Sequence, residues 1–139
     1  MKKMFKKITL KTLHTAHKSH LTPVEFDQVV PFKVKRLYYF NVGPGGKTGE
    51  HCHKTEQEVF FQVQGSATAI IDRGNGKEEI RLNSPGDAIY LPNFVWHGFK
   101  DATPDCLILA VSSTNYADDR SDYIEDYTAY LKIRDAKLR

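Results

Sequence analysis

The sequence predicts an all-β protein: a small antiparallel barrel with one helix at its C-terminal end. Short apolar-rich runs recur between turn signals. Gly- and Pro-rich punctuation separates them about every 8–14 residues, the spacing of a sandwich or barrel. Only the last stretch of chain changes period, repeating its apolar residues at helical spacing.

In order along the chain, Lys2, Lys3, Lys6, Lys7, Lys11 and Lys18 all precede the first acid, Glu25. Within this region KKITLKTLH alternates like a strand. It reads as a solvated edge strand whose lysines discourage unwanted pairing, rather than as a nucleic-acid-binding tail. An apolar h-region is missing, which speaks against a secretory signal. The segments 32–42, 58–65, 66–72, 78–83, 87–92 and 106–113 then read as strands, with turns at 43–49, 72–77, 83–87 and 101–105. DRGNGK is the clearest hairpin, because Asn75 and Gly76 tolerate positive φ. In the tail Tyr123, Ile124, Tyr127, Tyr130 and Leu131 mark one helix face, with Ser121 or Asp122 as the expected N-cap.

A chain of 139 residues has room for one domain, here residues 1–139. No apolar run approaches the roughly 18 residues that span a bilayer, so no membrane insertion is expected. Two cysteines, Cys52 and Cys106, are too few for a disulfide framework and suit a reducing cytoplasm. The net charge of +3 is compatible with anionic ligands. His14, His17 and His20 have the three-residue spacing of a helical metal face, but their segment lacks a helical pattern.

The chemistry concentrates in GGKTGEHCHKTEQEVFFQVQG, residues 45–65. Alternate side chains of a strand share a face, so His51 and His53 point into one cavity while Cys52 faces outward. Two imidazoles followed by the carboxylates Glu56 and Glu58 either hold a metal or move protons on a ligand held in the barrel. A divalent transition metal suits the set His51, His53, Glu58 and His97. Proton transfer suits histidine equally, because its ordinary pKa lies near neutrality.

Spacing carries a resemblance. Gly45, five residues, His51-x-His53, four residues, Glu58, six residues and Gly65 follow the first cupin motif without a gap. Gly86, five residues, Pro92, four residues and His97 follow the second, with Phe94 at the usual inner glycine and Asp101 at the usual trailing asparagine. The chain thus resembles the cupin superfamily, which implies a jelly-roll barrel. VPFKVKRLYYF, HCHK, FVWH and SSTNYADDRSDYIEDY further resemble the WxcM-like sugar-nucleotide 3,4-ketoisomerases, over about residues 30–130.

That resemblance implies a cytoplasmic homodimer that acts on dTDP-4-dehydro-6-deoxyglucose, requires no metal, and supplies sugars for surface polysaccharide such as lipopolysaccharide. The chain departs from the family at Glu58, where glutamine is usual, at Thr48, where an arginine lines the sugar site, and at Lys18 and Ser19, where Arg and Gly fall. In such a reaction His51 and His53 are the expected proton-transfer groups. Either Tyr38 or Tyr39 faces inward to steady an oxyanion, and the family match favours Tyr39. Arg36 and Lys54 are candidates for the diphosphate, Phe60 or Trp96 for stacking on the base, and His97 completes the ligand-binding set. Two other readings use the same residues: a metal-dependent cupin enzyme, and a non-catalytic sugar-binding cupin.

Overall fold

The structure, a computed structural model, describes residues 5–137; Lys2 and Lys3 of the basic N-terminal run lie outside the described residues. Its elements are β1 Lys6–Thr9, β2 Leu13–His14, β3 His20–Leu21, α1 Phe26–Val29, β4 Arg36–Phe40, β5 Thr48–His53 and β6 Glu58–Gln64. They continue as β7 Ser66–Asp72, β8 Lys77–Asn83, β9 Asp87–Leu91, β10 Trp96–Lys100, β11 Leu107–Ser112, β12 Tyr123–Ile124 and α2 Tyr127–Lys137. Two five-stranded antiparallel sheets form the barrel, in the orders β1-β9-β6-β11-β4 and β12-β5-β10-β7-β8. This is the jelly roll that the sequence predicts. β2 and β3 form a separate hairpin in which His14 pairs with His20, so the three spaced histidines 14, 17 and 20 share no helix.

Period-two alternation fills the barrel. On β6 the side chains of Glu58, Phe60 and Gln62 face inward, while Val59 and Phe61 face out. The inner cluster joins Phe60, Ile89, Leu91, Ile108 and Ala110 of one sheet to Ala67, Ala69, Ile71, Leu82 and Phe99 of the other. Each outer face is also covered. Val59, Phe61, Ala88 and Val111 lie under the N-terminal segment through Leu10, Val24, Val30 and Phe32. On the opposite side, Cys52, Trp96 and Ile124 lie under α2 through Tyr127, Tyr130 and Leu131. Cys52 does point outward from the barrel, but into this second apolar layer, where it is fully buried.

Three local expectations need correcting. The hairpin between β7 and β8 has its left-handed residues at Gly74 and Gly76, not at Asn75. The tail helix begins at Tyr127, and its cap is Asp126, whose Oδ1 accepts the Ala129 N–H at 2.7 Å. Ser121 and Asp122 are not the cap, because residues 123–124 extend and pair with β5 at Tyr123↔His53 and Ile124↔Cys52. A two-residue strand carries too little periodicity to compete with the helical pattern that follows it. β1 is an edge strand as expected, with Lys6 and Lys7 exposed.

Where β5 crosses β10, Gly49 sits opposite Gly98. A Cβ on Gly49 would lie 2.9 Å from the Gly98 Cα, and Gly49 has φ +78°, so only glycine lets the two backbones approach here. The second motif keeps its geometry without its usual residues. Phe94 and Asp101 adopt φ +61° and +50°, the left-handed region that glycine and asparagine normally fill. Phe94 accepts that conformation while its ring packs in the layer under α2.

Candidate active site

Between the sheets lies a cavity of about 540 Å³. Its inner wall carries His51, His53, Glu58, Phe60 and His97, and its mouth carries Arg36, Thr48, Tyr116, Arg120 and Tyr123. Strand alternation on β5 supplies two of the imidazoles, as the sequence predicts. β10 supplies the third through the register His97↔His51.

The ring nitrogens of His51, His53 and His97 lie within 4.8 Å of one another. His51 Nε2 and His53 Nε2 are 3.1 Å apart, a separation that one shared proton fits. The outer nitrogen of each flanking ring is tied down. His97 Nδ1 donates to the Val95 carbonyl at 3.0 Å. His53 Nδ1 faces Asp122 Oδ2 at 3.1 Å and Glu56 Oε2 at 3.4 Å, so it carries a proton and leaves Nε2 toward the cavity. Asp122 is fixed in turn by the N–H groups of Thr55 at 2.7 Å and Glu56 at 3.2 Å.

The two neighbouring histidines are driven in opposite directions. Burial, then the charges of His97 and His53, push the His51 pKa down to about 3, so this ring is neutral at ordinary pH. For His53 burial also works against the charged form. A hydrogen bond and charge from Glu58, then the charges of Glu56 and Asp122, outweigh it and hold the pKa above the ordinary value. Burial likewise opposes the Glu58 carboxylate, but the adjacent His53 and His97 imidazoles hold its pKa well below the usual carboxylate range. Glu58 Oε2 is 3.5 Å from His53 Nε2 and 3.3 Å from His97 Nε2. Two neighbouring imidazoles whose pKa values are pushed apart are the arrangement that proton relocation needs.

Glu58 Oε1 accepts from the Tyr38 hydroxyl at 2.5 Å. Burial, then the Glu58 charge, raises the Tyr38 pKa far above its ordinary value, so Tyr38 keeps its proton. Arg36 Nη2 donates to Glu56 Oε1 at 2.5 Å, and the same oxygen accepts from Ser112 Oγ at 2.6 Å. Phe60 lines the cavity with its ring 5.8 Å from His97.

Three sequence candidates fall elsewhere. Tyr39 is on the outer face of β4 and 72% exposed; the inward tyrosine is Tyr38, because odd and even positions of β4 face opposite ways. Lys54 lies outside the cavity, its Nζ donating to the Ser121 carbonyl at 3.1 Å. Trp96 is buried on the far side of β10, its ring 5.1 Å from Tyr127 and 5.4 Å from Tyr130 under α2. The same alternation explains it: His97 faces in, so Trp96 faces out.

The tail supplies residues that the sequence reading missed. Tyr123 on β12 places its ring 4.9 Å from His51 and 4.6 Å from His53. Asp122 comes from the same stretch. Its signal was present as alternation in DYI, with Ile124 turning to the α2 layer and Tyr123 to the cavity, but it was read as one face of a helix.

A jelly-roll barrel with an HxH pair, a carboxylate and a third histidine converging inside it defines a cupin. The chain belongs to the family described as "FdtA: WxcM-like, C-terminal", which it matches over residues 3–135. It is 35% identical over 113 residues to a TDP-4-oxo-6-deoxy-alpha-D-glucose-3,4-oxoisomerase of Aneurinibacillus thermoaerophilus, covering 81% of this chain and 80% of that one. Its structure resembles QdtA, a sugar 3,4-ketoisomerase from Thermoanaerobacterium thermosaccharolyticum in complex with TDP, with a TM-score of 0.87, 29% identity and 97% of each chain covered. A mutant of QdtA in complex with TDP-4-keto-6-deoxyglucose matches with a TM-score of 0.85 and 28% identity, over 96% of this chain and 95% of that one.

Proposed function

We propose that this protein isomerises a TDP-linked 4-keto-6-deoxy sugar, moving the ketone from C4 to C3. The observation that carries the reading is the pairing of neutral His51 with His53, whose pKa is raised, Nε2 to Nε2 at 3.1 Å, inside a cavity of sugar size. It agrees with what the named relatives act on.

His51 takes the proton from C3, and the electron pair left behind forms the C3–C4 double bond of an enediolate as the C4 carbonyl becomes an oxyanion. His53 supplies a proton to that oxygen, and the Tyr38 hydroxyl, donating to Glu58 Oε1, steadies the carboxylate beside His53. Reprotonation at C4 and loss of the O3 proton give the 3-ketone, with no net change in atoms or electrons. Asp122 and Glu56 hold His53 in its role. Phe60 and the aromatic mouth keep water from the enediolate.

A second reading rests on the three converging imidazoles. With the outer nitrogens of His53 and His97 bonded to protein and Glu58 beside them, His51, His53 and His97 suit a divalent transition metal. When bound, such an ion would polarise a sugar carbonyl. Elemental analysis of the purified protein and of Glu58→Gln separates the two readings.

The deciding experiment for the isomerase is proton NMR of TDP-4-keto-6-deoxyglucose in D₂O. Deuterium enters at C3 or C4 with the wild type, while His51→Asn and His53→Asn slow the wash-in by about 10²–10⁴-fold. No wash-in above the enzyme-free control, with TDP still bound, refutes the isomerase and favours a binding module. Among the described residues no helix is long and apolar enough to cross a membrane. We place the activity in the cytoplasm, in the supply of sugars for surface polysaccharide. The exposed Leu37, Tyr39 and Val63 on the outer face of one sheet support a homodimer, which light scattering at micromolar concentration tests.

A further inference from the structure

Among the described residues lining the cavity, two carry guanidinium groups, Arg36 and Arg120. The Arg36 side chain is 19% exposed and its Nη2 is bonded to buried Glu56, which also faces His53, while its Nε and Nη1 have no hydrogen-bond partner among the described residues. Thr48, the small residue at the start of β5, lines the mouth without a charge. Arg120 differs from both. Its side chain is 44% exposed, and its guanidinium lies over the Tyr123 ring at 4.0 Å from the centroid. Its ion-pair partner is Glu125, itself 57% exposed, and Tyr116 also hydrogen-bonds to the guanidinium.

The Tyr123 ring therefore neighbours both the guanidinium and the two catalytic imidazoles, the latter at 4.6 and 4.9 Å between ring centroids. The backbone fixes this placement, since the Arg120 N–H donates to Ala117 O at 3.1 Å and the Tyr123 N–H donates to Arg120 O at 3.0 Å. A pyranose is about as wide as a phenol ring. With C3 and C4 at the imidazoles, its anomeric substituent projects from the far side of the sugar, in the direction of the cavity mouth where Arg120 stands. An exposed carboxylate partner is weakly held and readily exchanged. A guanidinium fork matches phosphate oxygens in a bidentate manner.

We propose that Arg120 is an anion-binding residue of this site, leaving Glu125 to take the phosphate of the bound nucleotide sugar. This rests on the nucleotide-sugar reading above, and it assigns a role to a residue outside the proton-transfer machinery. It also makes Glu125 a competitor: while the site is empty, the carboxylate occupies the fork that phosphate would use.

Isothermal titration of the full chain with TDP and with thymidine tests it, since the two probes differ in the diphosphate alone. Wild type binds TDP more tightly than thymidine. In Arg120→Ala the TDP affinity falls by about tenfold to a hundredfold, the loss of a charge-assisted hydrogen bond, while thymidine binding stays within about twofold. Arg120→Lys retains part of the preference, because it keeps the charge but not the fork. Glu125→Gln tightens TDP binding severalfold. An Arg120→Ala protein with an unchanged melting temperature and the wild-type ratio of TDP to thymidine affinity overturns the proposal. Should that variant melt early, an Arg120→Lys protein with the full wild-type TDP affinity and an unmoved Glu125→Gln overturn it instead. A wild type that binds neither probe refutes the nucleotide-sugar reading itself, and this inference falls with it.

Discussion

Acidification from pH 6.5 to near pH 5 separates His51 from its neighbour His53. The folded His51 has a pKa of about 3, because burial and two neighbouring imidazoles oppose its charge, whereas the unfolded ring titrates at 6.5. Between those values the unfolded chain binds a proton that the folded chain refuses. Stability therefore falls as the pH drops through this window, by about 1.4 kcal/mol per unit, or about 2 kcal/mol at pH 5. His53 has the opposite sign. Its folded pKa is raised, so its stabilisation is complete below 6.5 and is lost only as the pH rises through the folded value. It adds no slope in the acid window. Urea unfolding of wild type and His51→Asn at both pH values measures the difference. Surface carboxylates titrate alike in the two proteins and cancel, so the wild type should lose about 2 kcal/mol more than the variant on acidification. Equal losses would mean that His51 is not held neutral, and the assignment of His51 as base would fail.

Tyr38→Phe removes the inward hydroxyl and should lower turnover at least tenfold, whereas Tyr39→Phe, altered on the exposed face of β4, should change it by less than twofold; steady-state rates of the two compare them directly. Asp122→Asn takes a carboxylate from His53 Nδ1 and should slow deuterium wash-in by about tenfold to a hundredfold, with TDP affinity preserved. Were TDP binding lost in step with the rate, Asp122 would be shaping the pocket rather than orienting the ring. Trp96→Ala empties the layer under α2 and should lower unfolding free energy by about 3–5 kcal/mol in urea, a loss that a base-stacking residue at the cavity mouth would not produce.

Period and punctuation made the barrel legible before any coordinates. β7 covers the segment 66–72 expected for it, and β6, β8, β9 and β11 fall within a residue of their expected ends. The motif spacing also placed His51, His53, Glu58 and His97 around one cavity, since a strand's two-residue repeat leaves few other places for them. Alternation required one of Tyr38 and Tyr39 to face inward, but which one depends on the register of β4 against β11, with Leu109↔Tyr39 and Ala110↔Tyr38. That register is a long-range pairing, and nothing local to RLYYF encodes it.

The same distinction governs the tail. Its helical spacing was visible, and the helix is there, but Asp122 and Tyr123 reach the active site through a two-residue pairing with β5, a strand about seventy positions earlier. Charge followed the same rule. Sequence named the carboxylates and imidazoles; burial and mutual distance decided that His51 is neutral, that the His53 pKa is raised and that Glu58 is ionised between His53 and His97. By itself, then, the sequence determined the barrel and its inward-facing histidines, because both follow from local alternation and spacing. Tertiary structure decided their protonation states and brought Tyr38, Asp122, Tyr123 and Arg120 to them, because desolvation and contact between distant strands exist only once the chain is closed.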